Sequence, residues 1–256
     1  MLIINADDWG RSRAETNAAL ECYQHGRITS VSAMVFMNDS ERAAEIAREH
    51  NLDAGLHLNF TDPFTNRIPA RLEGCHHGTA RFLGRSKYAQ LTYHPLLRGD
   101  FSYSYKIQAA EFERLFGKPP SHIDGHHHMH LCANLLIDDV IPKGSKVRRN
   151  FSFWPGEKSQ LNRAYRALVD RWLARKYRLT DYFFDLTQCI QENKLGRVAT
   201  LEASGDVELM THPINPEEQA YLMSDQCSEF LQHLQLGSYR ANDCAPSAFC
   251  PLPSVR

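Results

Sequence analysis

Short apolar segments alternate with longer segments of helical periodicity along the chain. Leu2–Ala6 is an apolar run of strand length, and residues 12–15 (SRAE) then have the spacing of a helix capping box. The pattern predicts a helix that continues to about His25 and ends at Gly26, because glycine favours helix termination. A strand followed by an amphipathic helix is the unit from which parallel sheets are built.

The same alternation continues towards the C-terminus. Further strands are predicted at Ser30–Phe36, Asp53–Phe60, Ser121–Gly125, Tyr182–Leu186 and Val207–Thr211, with a weaker candidate at Lys146–Phe151. Further helices are predicted at Glu41–Glu49, Tyr103–Phe116, Gln160–Tyr177 and Pro216–Leu234. The fold class that follows is α/β, a parallel sheet or barrel whose site forms at the carboxyl ends of its strands.

Two segments interrupt this alternation. Thr61–Asp100 is rich in Pro, Gly, Arg and His and has no clear period, so we expect an irregular segment with a functional role. Residues 241–256 contain three prolines and no period, and we expect a disordered or loosely attached tail. Residues 1–240 are then predicted to form one domain, a size that suits a single α/β barrel.

Composition narrows the classes of partner. The formal net charge is −1 and the pI is about 6.9, so no strong field attracts nucleic acid or an anionic membrane. No apolar run approaches the ~20 residues of a membrane span. Seven cysteines form an odd set without a CxxC motif, which indicates neither a disulfide framework nor a cysteine zinc module. We therefore expect a cytoplasmic protein.

Residues that can bind metal or move protons follow several of the predicted strands. Asp7 and Asp8 end the first strand, and His57 lies near the end of the third. Two adjacent carboxylates repel each other unless a cation or a mobile proton offsets their charge. The pair would also fit a solvated turn, and His57 taken alone fits a hydrogen-bonded core histidine. The sequence around residue 126 favours the metal interpretation.

The segment HIDGHHHMH combines apolar/polar alternation with a histidine cluster, a pattern that indicates metal binding. Side chains alternate along a strand, so His122, Asp124 and His126 should share one face. We prefer His126 as the ligand because strand character precedes it. His128 and His130 remain alternatives, since His126 and His130 would meet if the segment were helical.

One aspartate and two histidines from three strand ends make a half-open metal site. Three protein ligands leave positions for water and substrate, and a bound metal lowers the pKa of its water from 15.7 to about 7. One carboxylate would ligate the metal while its neighbour takes the proton. His212 precedes Pro213 and should be held in a defined direction, either as a turn residue or as a proton donor.

Five motifs between Leu2 and Arg240 resemble those of the YdjC-like carbohydrate deacetylases, in the same order: NADDWG, GLHLN, HIDGHHHMH, MTHP and LGSYR. That family includes chitooligosaccharide deacetylases and hopanoid-associated relatives. NADD(W/F)G and the triple histidine are specific as a pair. The resemblance implies an irregular (β/α) barrel, TIM-barrel-like and related to polysaccharide deacetylase folds.

The resemblance also implies roles for individual residues. It implies that Asp8, His57 and His126 bind one divalent metal ion, Mg²⁺ or Zn²⁺. It makes Asp7 the general base and His212 the group that protonates the leaving amine.

Other residues are implied to support this chemistry. Arg148 in KVRRN, with Arg149 as an alternative, would steady the base. Asp124 would hold a ligand histidine, because such histidines usually donate their second N–H to a carboxylate or carbonyl. Large aromatic residues are candidates to stack on a sugar, although each fits a core position equally well: Trp9, Phe60, Phe64 and Trp154.

The predicted function is metal-dependent removal of an acetyl group from an N-acetylated sugar, such as a chitooligosaccharide. Thr61–Asp100 does not resemble the corresponding stretch of the chitooligosaccharide enzymes, so the sugar stays open. A non-haem iron oxygenase also uses two histidines and a carboxylate, but it needs no second acid beside them. An inactive, metal-dependent sugar-binding relative is the third alternative. The expected partner is a small carbohydrate, without nucleic acid or a membrane span, and the expected assembly is a homodimer.

Overall fold

Six β-strands and ten α-helices alternate in the computed structural model, which describes residues 1–241. The strands are β1 Leu2–Trp9, β2 Ser30–Ala33, β3 Asp53–Leu58, β4 Ile123–Gly125, β5 Tyr182–Asp185 and β6 Val207–Thr211. The helices are α1 Arg13–Gln24, α2 Ser40–Glu49, α3 Ala70–Leu83, α4 Arg98–Phe116, α5 Ala133–Ile137, α6 Gln160–Leu173, α7 Leu186–Gln191, α8 Leu195–Glu202, α9 Pro216–Leu222 and α10 Asp225–Leu231. Short 3-10 helices cover Ala89–Leu91, Pro95–Leu97 and His126–Leu131.

The strands form one sheet in the order β4-β3-β2-β1-β6-β5. Pairing is parallel between β1 and β6, between β5 and β6, and between β3 and β4. Nearly every residue of the strands is buried, which is typical of parallel sheets covered on both faces by helices. The predicted α/β class with a parallel sheet is confirmed.

The chain divides into two compact units. The first unit comprises Met1–Ala6, Ala18–Ser30 and the chain from Gly144, and the second comprises Asp7–Asn17 and Val31–Lys143. The predicted single domain over residues 1–240 stays a prediction. The predicted tail falls, except for its first residue, outside the described residues.

Buried ion pairs organise the first unit beside its strands. Arg148 and Glu208 are both fully buried, and the Nε and Nη2 atoms of Arg148 each lie 2.8 Å from Oε1 of Glu208. Arg149 donates from Nη2 to Asp170 at 2.8 Å and also reaches backbone carbonyls. The predicted strand at Lys146–Phe151 is wrong, because Lys146 and Val147 form isolated bridges there, including the one from Lys146 to Arg178, and no strand.

The second unit contains a helix that the sequence pattern did not reveal. Thr61–Asp100 was expected to be irregular, yet residues 70–83 form α3, and α4 begins at Arg98 instead of Tyr103. The buried positions of α3 include polar or weakly apolar residues such as Cys75, His76 and Thr79. These residues hide the apolar period on which the prediction depends.

The predicted last helix, Pro216–Leu234, is interrupted. It forms as α9 and α10, separated at Met223 and Ser224. Ser224 has an extended backbone, and its side chain accepts a hydrogen bond from the backbone N–H of Cys227, so it caps the start of α10. Within the described residues, no helix is both long and apolar enough to cross a membrane.

Candidate metal and catalytic site

The end of β1 changes direction at Asp8. Neighbouring side chains of a regular strand point to opposite faces. Asp8 instead has a φ of +64°, in the left-handed region that Asp tolerates better than most residues, and Gly10 follows with a φ of +84°. Beyond the turn, the backbone oxygen of Trp9 accepts from the N–H of Met34 at 2.9 Å. At this irregular backbone, Asp7 and Asp8 both have a carboxylate oxygen within 4.8 Å of a ring nitrogen of His57.

Asp8, His57 and His126 converge in the second unit, and all three are buried. Asp8 Oδ1 lies 3.0 Å from His126 Nδ1 and 3.5 Å from His57 Nε2. One ligand atom from each of the three residues lies within 4.8 Å of the others. The two imidazole rings meet edge to face, at 72° and 5.6 Å between centroids.

These separations suit a divalent cation. Metal bonds to histidine nitrogen and carboxylate oxygen are about 2.0–2.2 Å long, so neighbouring ligand atoms around one ion lie roughly 3.0–3.6 Å apart. The donor set of two imidazoles and one carboxylate is the kind that holds a catalytic metal with an open position. The residues present therefore fit the group that the sequence predicted.

Asp124 holds the second nitrogen of His57. His57 and Asp124 lie opposite each other in the β3–β4 register, and Nδ1–H donates to Asp124 Oδ1 at 2.8 Å. The hydroxyl of Ser32 donates to Asp124 Oδ2 at 2.7 Å. Because the Ser32 hydroxyl has one proton and donates it to Asp124, its oxygen must accept the second hydrogen bond, which comes from Nε2–H of His122 at 3.0 Å. A buried polar chain thus fixes the orientation of the His57 ring.

Asp62 occupies the corresponding position at His126. Its Oδ2 lies 3.2 Å from His126 Nε2, on the side of the ring away from Asp8. Arg11 reaches Asp62 Oδ2 from Nη2 at 2.8 Å and Asp8 Oδ2 from Nη1 at 3.3 Å. Sequence reasoning missed both residues. Asp62 lies in the segment interpreted as irregular, and its only sequence signal is an acid five residues after His57.

The electrostatics favour positive charge at His57. Burial by itself would lower the pKa of His57, but nearby carboxylates outweigh burial and raise the pKa to about 9. In order of influence, these carboxylates belong to Asp124, Asp7 and Asp8. The surroundings of His57 are therefore suited to stabilising a cation, whether a proton or a metal ion.

Two further donor groups share members with this centre. Asp62, His126 and His127 form one, and Asp7, His57 and Asp124 form the other. His127 is exposed, and its Nδ1 lies 3.1 Å from the Thr61 hydroxyl.

The histidines that remained alternatives to His126 lie just beyond it in the chain. His127 and His128 both have left-handed backbones, with φ of 53° and 58°, and turn the chain after His126. His130 is buried. No donor group among the described residues includes His128 or His130.

The aromatic candidates differ in accessibility. Trp9 is fully buried and donates from Nε1 to the carbonyl of Ala43 at 3.0 Å, and Phe60 is fully buried as well. Phe64 is half-buried, with its ring centroid 4.5 Å from that of His76. Within the second unit, Phe64 is thus the candidate with most surface to offer a sugar.

The remaining predicted site residues belong to the first unit. His212 is half-buried, and its backbone N–H donates to Oε2 of Glu218 at 2.6 Å. Trp154 is buried between Phe184, whose ring lies 4.7 Å away, and the guanidinium of Arg197 at 4.3 Å. Arg148 has the buried contact with Glu208 described above.

The family model of the YdjC-like proteins matches residues 1–245. The chain belongs to the YdjC-like family. Among curated relatives, the chitooligosaccharide deacetylase of Serratia marcescens is 35% identical over 132 residues, 51% of this chain and 51% of the relative. The carbohydrate deacetylase of Mus musculus is 27% identical over 254 residues, 84% of this chain and 78% of the relative. The match thus spans about half the length of the bacterial chitooligosaccharide deacetylase.

A solved structure shares the YdjC-like chain's fold. The crystal structure of an Enterococcus faecalis V583 protein, provisionally named a cellobiose-phosphate cleavage protein, superposes with a TM-score of 0.66. It is 20% identical, and the superposition covers 94% of this chain and 97% of that one. At this identity the likeness concerns the fold alone. The barrel-like α/β class predicted from the sequence is confirmed.

Proposed function

We propose that this YdjC-like protein is a metal-dependent carbohydrate deacetylase that hydrolyses the acetamide of an N-acetylated sugar. The observation that carries the proposal is the buried convergence of Asp8, His57 and His126, with the carboxylate of Asp7 at the same histidine. Membership of the family and the names of the two curated relatives support a carbohydrate substrate.

The proposed roles begin with metal binding. Asp8, His57 and His126 would hold one divalent ion, Mg²⁺ or Zn²⁺, with His57 using Nε2 and His126 using Nδ1. When bound, such an ion polarises an acyl oxygen and acidifies water. Asp124 fixes the ring of His57 through Nδ1–H. An orienting carboxylate of this kind also makes the ligand nitrogen more basic.

Asp7 is the proposed general base. It stands next to Asp8 in the chain, and one of its oxygens lies within 4.8 Å of the ligand histidine His57. A carboxylate at that distance can accept a proton from the attacking water through one of its oxygens. The presence of this second acid also disfavours the oxygenase alternative, which has no use for a base.

His212 is the proposed general acid that protonates the departing nitrogen. The assignment rests on the MTHP motif, and a defined backbone supports it. The N–H of His212 donates to Glu218, and its carbonyl accepts from the N–H of Asn215 at 2.8 Å. Arg148, or Arg149 as the alternative, is proposed to steady the base.

We propose a cytoplasmic location. All five cysteines in the part of the chain that the structure describes are free thiols, which supports a reducing compartment. A homodimer is the proposed assembly.

The test is acetate release from a panel of N-acetylglucosamine saccharides, after metal removal and again after adding back Mg²⁺ or Zn²⁺. We expect release that disappears on metal removal and returns on addition. Metal binding without acetate release from any N-acetyl sugar would favour the sugar-binding or inactive alternative. Oxygen consumption with Fe²⁺ would favour the oxygenase alternative.

A further inference from the structure

Both histidines of the candidate centre have a carboxylate on the nitrogen that faces away from Asp8. For His57 the carboxylate is Asp124, a residue that the sequence motif already contains. For His126 it is Asp62, which lies outside every motif discussed above. The two sides of the centre are therefore built alike from unrelated parts of the chain.

We propose that Asp62, held by Arg11, is the positioning residue for His126. The inference rests on the proposed function, because it assigns His126 as a metal ligand through Nδ1. Ligation through Nδ1 leaves Nε2 protonated, and Nε2–H then donates to Asp62 Oδ2 across the observed 3.2 Å. The ring can neither rotate nor change tautomer without losing that hydrogen bond.

Arg11 sets the position of the Asp62 carboxylate. Its guanidinium joins Asp62 and Asp8, which lie on opposite edges of the His126 ring. Two N–H groups of one planar cation can hold two carboxylates at a fixed spacing, since the guanidinium donors have a rigid geometry. His126 is thus enclosed by a chain of contacts from Asp8 through Arg11 to Asp62.

The backbone at Asp62 is fixed independently of its side chain. The N–H of Asp62 donates to Oδ1 of the buried Asn59 at 3.0 Å, and its carbonyl accepts from Nδ2 of Asn59 at 2.8 Å. The same carbonyl is 2.9 Å from Nε2 of His76. Truncating the Asp62 side chain should therefore leave the turn in place, which makes Asp62→Ala an informative variant.

Charge alone is the competing explanation, because Asp62 also adds negative charge beside a cation. Asp62→Asn and Asp62→Ala remove the same charge, but only Asn keeps an oxygen that can accept from His126 Nε2–H. Comparing the two variants separates positioning from charge. Asp138→Asn is the matched control, because Asp138 has its own arginine, Arg98 at 3.1 Å, in the same unit.

The first measurement is Zn²⁺ affinity by calorimetric titration of the full chain. Loss of an outer carboxylate typically weakens metal binding about 10–100-fold, so Asp62→Ala should fall in that range. Asp62→Asn should bind several-fold more tightly than Asp62→Ala, and Asp138→Asn should match wild type. Equal weakening in the two Asp62 variants would assign the effect to charge and overturn the proposal.

The second measurement is the His126 Nε2–H signal in Zn²⁺-loaded protein labelled with ¹⁵N-histidine. We expect a slowly exchanging proton in wild type and Asp62→Asn that is lost in Asp62→Ala. An unchanged signal in Asp62→Ala would overturn the role of Asp62 even if affinity falls. Absence of both Zn²⁺ and Mg²⁺ binding by wild type would instead overturn the proposed function, so the two failures are distinguishable.

Discussion

At the residue scale, one backbone angle decides whether Asp7 and Asp8 can act together. In a regular strand their carboxylates would point to opposite faces, and only one would reach a site at the strand end. The left-handed φ of Asp8 breaks that alternation, and both residues influence His57. Backbone strain of this kind is concentrated at functional sites in general, and here it coincides with the candidate metal centre.

The proposed division of roles between the two acids gives the first prediction. Asp8→Ala, His57→Ala and His126→Ala should each lose the metal, because each removes one of three ligands. Asp7→Asn should retain the metal and lose turnover, because it removes only the base. Elemental analysis and acetate release on the same samples measure both effects. Full metal occupancy in His57→Ala, or near-normal turnover in Asp7→Asn, would contradict the assignment.

His212 carries a second prediction at this scale. An amine is a poor leaving group until it is protonated, whereas an activated ester departs without strong protonation. His212→Ala should therefore slow hydrolysis of an N-acetyl sugar by about 10²–10⁴-fold and affect an activated acetyl ester far less. Rates on the two substrates, measured for wild type and variant, provide the comparison. Equal losses would remove His212 from the acid role.

At the element scale, the packing of β3 beside β4, where His57 and Asp124 lie opposite each other, requires that residue 55 has no side chain. A Cβ at residue 55 would lie 2.3–2.5 Å from three atoms of the His122 ring. His122 in turn contacts Ser32, and Ser32 donates to Asp124. The missing side chain at Gly55 therefore affects the orientation of His57 through His122, Ser32 and Asp124, which contact one another in that order.

Gly55→Ala should consequently lower both stability and metal affinity. Overpacking of this kind costs about 1–3 kcal/mol, and the displaced His122 would disturb the hydrogen bonds to Asp124. Thermal unfolding and Zn²⁺ titration measure the two effects. Gly74→Ala in α3 is the control: its Cβ meets nothing within 4 Å, and Ala is favoured over Gly in a helix by roughly 0.5–1 kcal/mol. Wild-type stability in Gly55→Ala would contradict this account of β3–β4 packing.

An element could be predicted from the sequence where its apolar residues form a continuous run or a clear period. The strands β1, β3 and β6 are apolar runs that end in polar residues, so both the strands and the acids and histidines at their ends could be predicted. α3 could not, because His76 and Thr79 occupy buried positions and hide the period. Asp62 could not either, because its contact with His126 depends on the tertiary position of that histidine and not on local spacing.

At the scale of the whole molecule, the family match and the motifs end at different places. The last motif, LGSYR, ends at Arg240, whereas the YdjC-like match continues to residue 245. Residues 246–256 lie beyond both limits. The C-terminal residues therefore fall into a short part inside the family match and a longer part outside it.

Two truncations test how far the folded molecule extends. Deleting residues 246–256 should leave melting temperature and acetate release unchanged, since neither a motif nor the family match includes them. Deleting residues 241–256 should also leave both nearly unchanged, because the segment lacks periodicity and three of its residues are prolines. In a domain of this size, about 1 kcal/mol of lost stability lowers the melting temperature by roughly 2–4 °C.

A fall of several degrees confined to the longer deletion would show that residues 241–245 pack against the core. A fall in both would show that the residues beyond the family match contribute as well, and would refute the predicted tail.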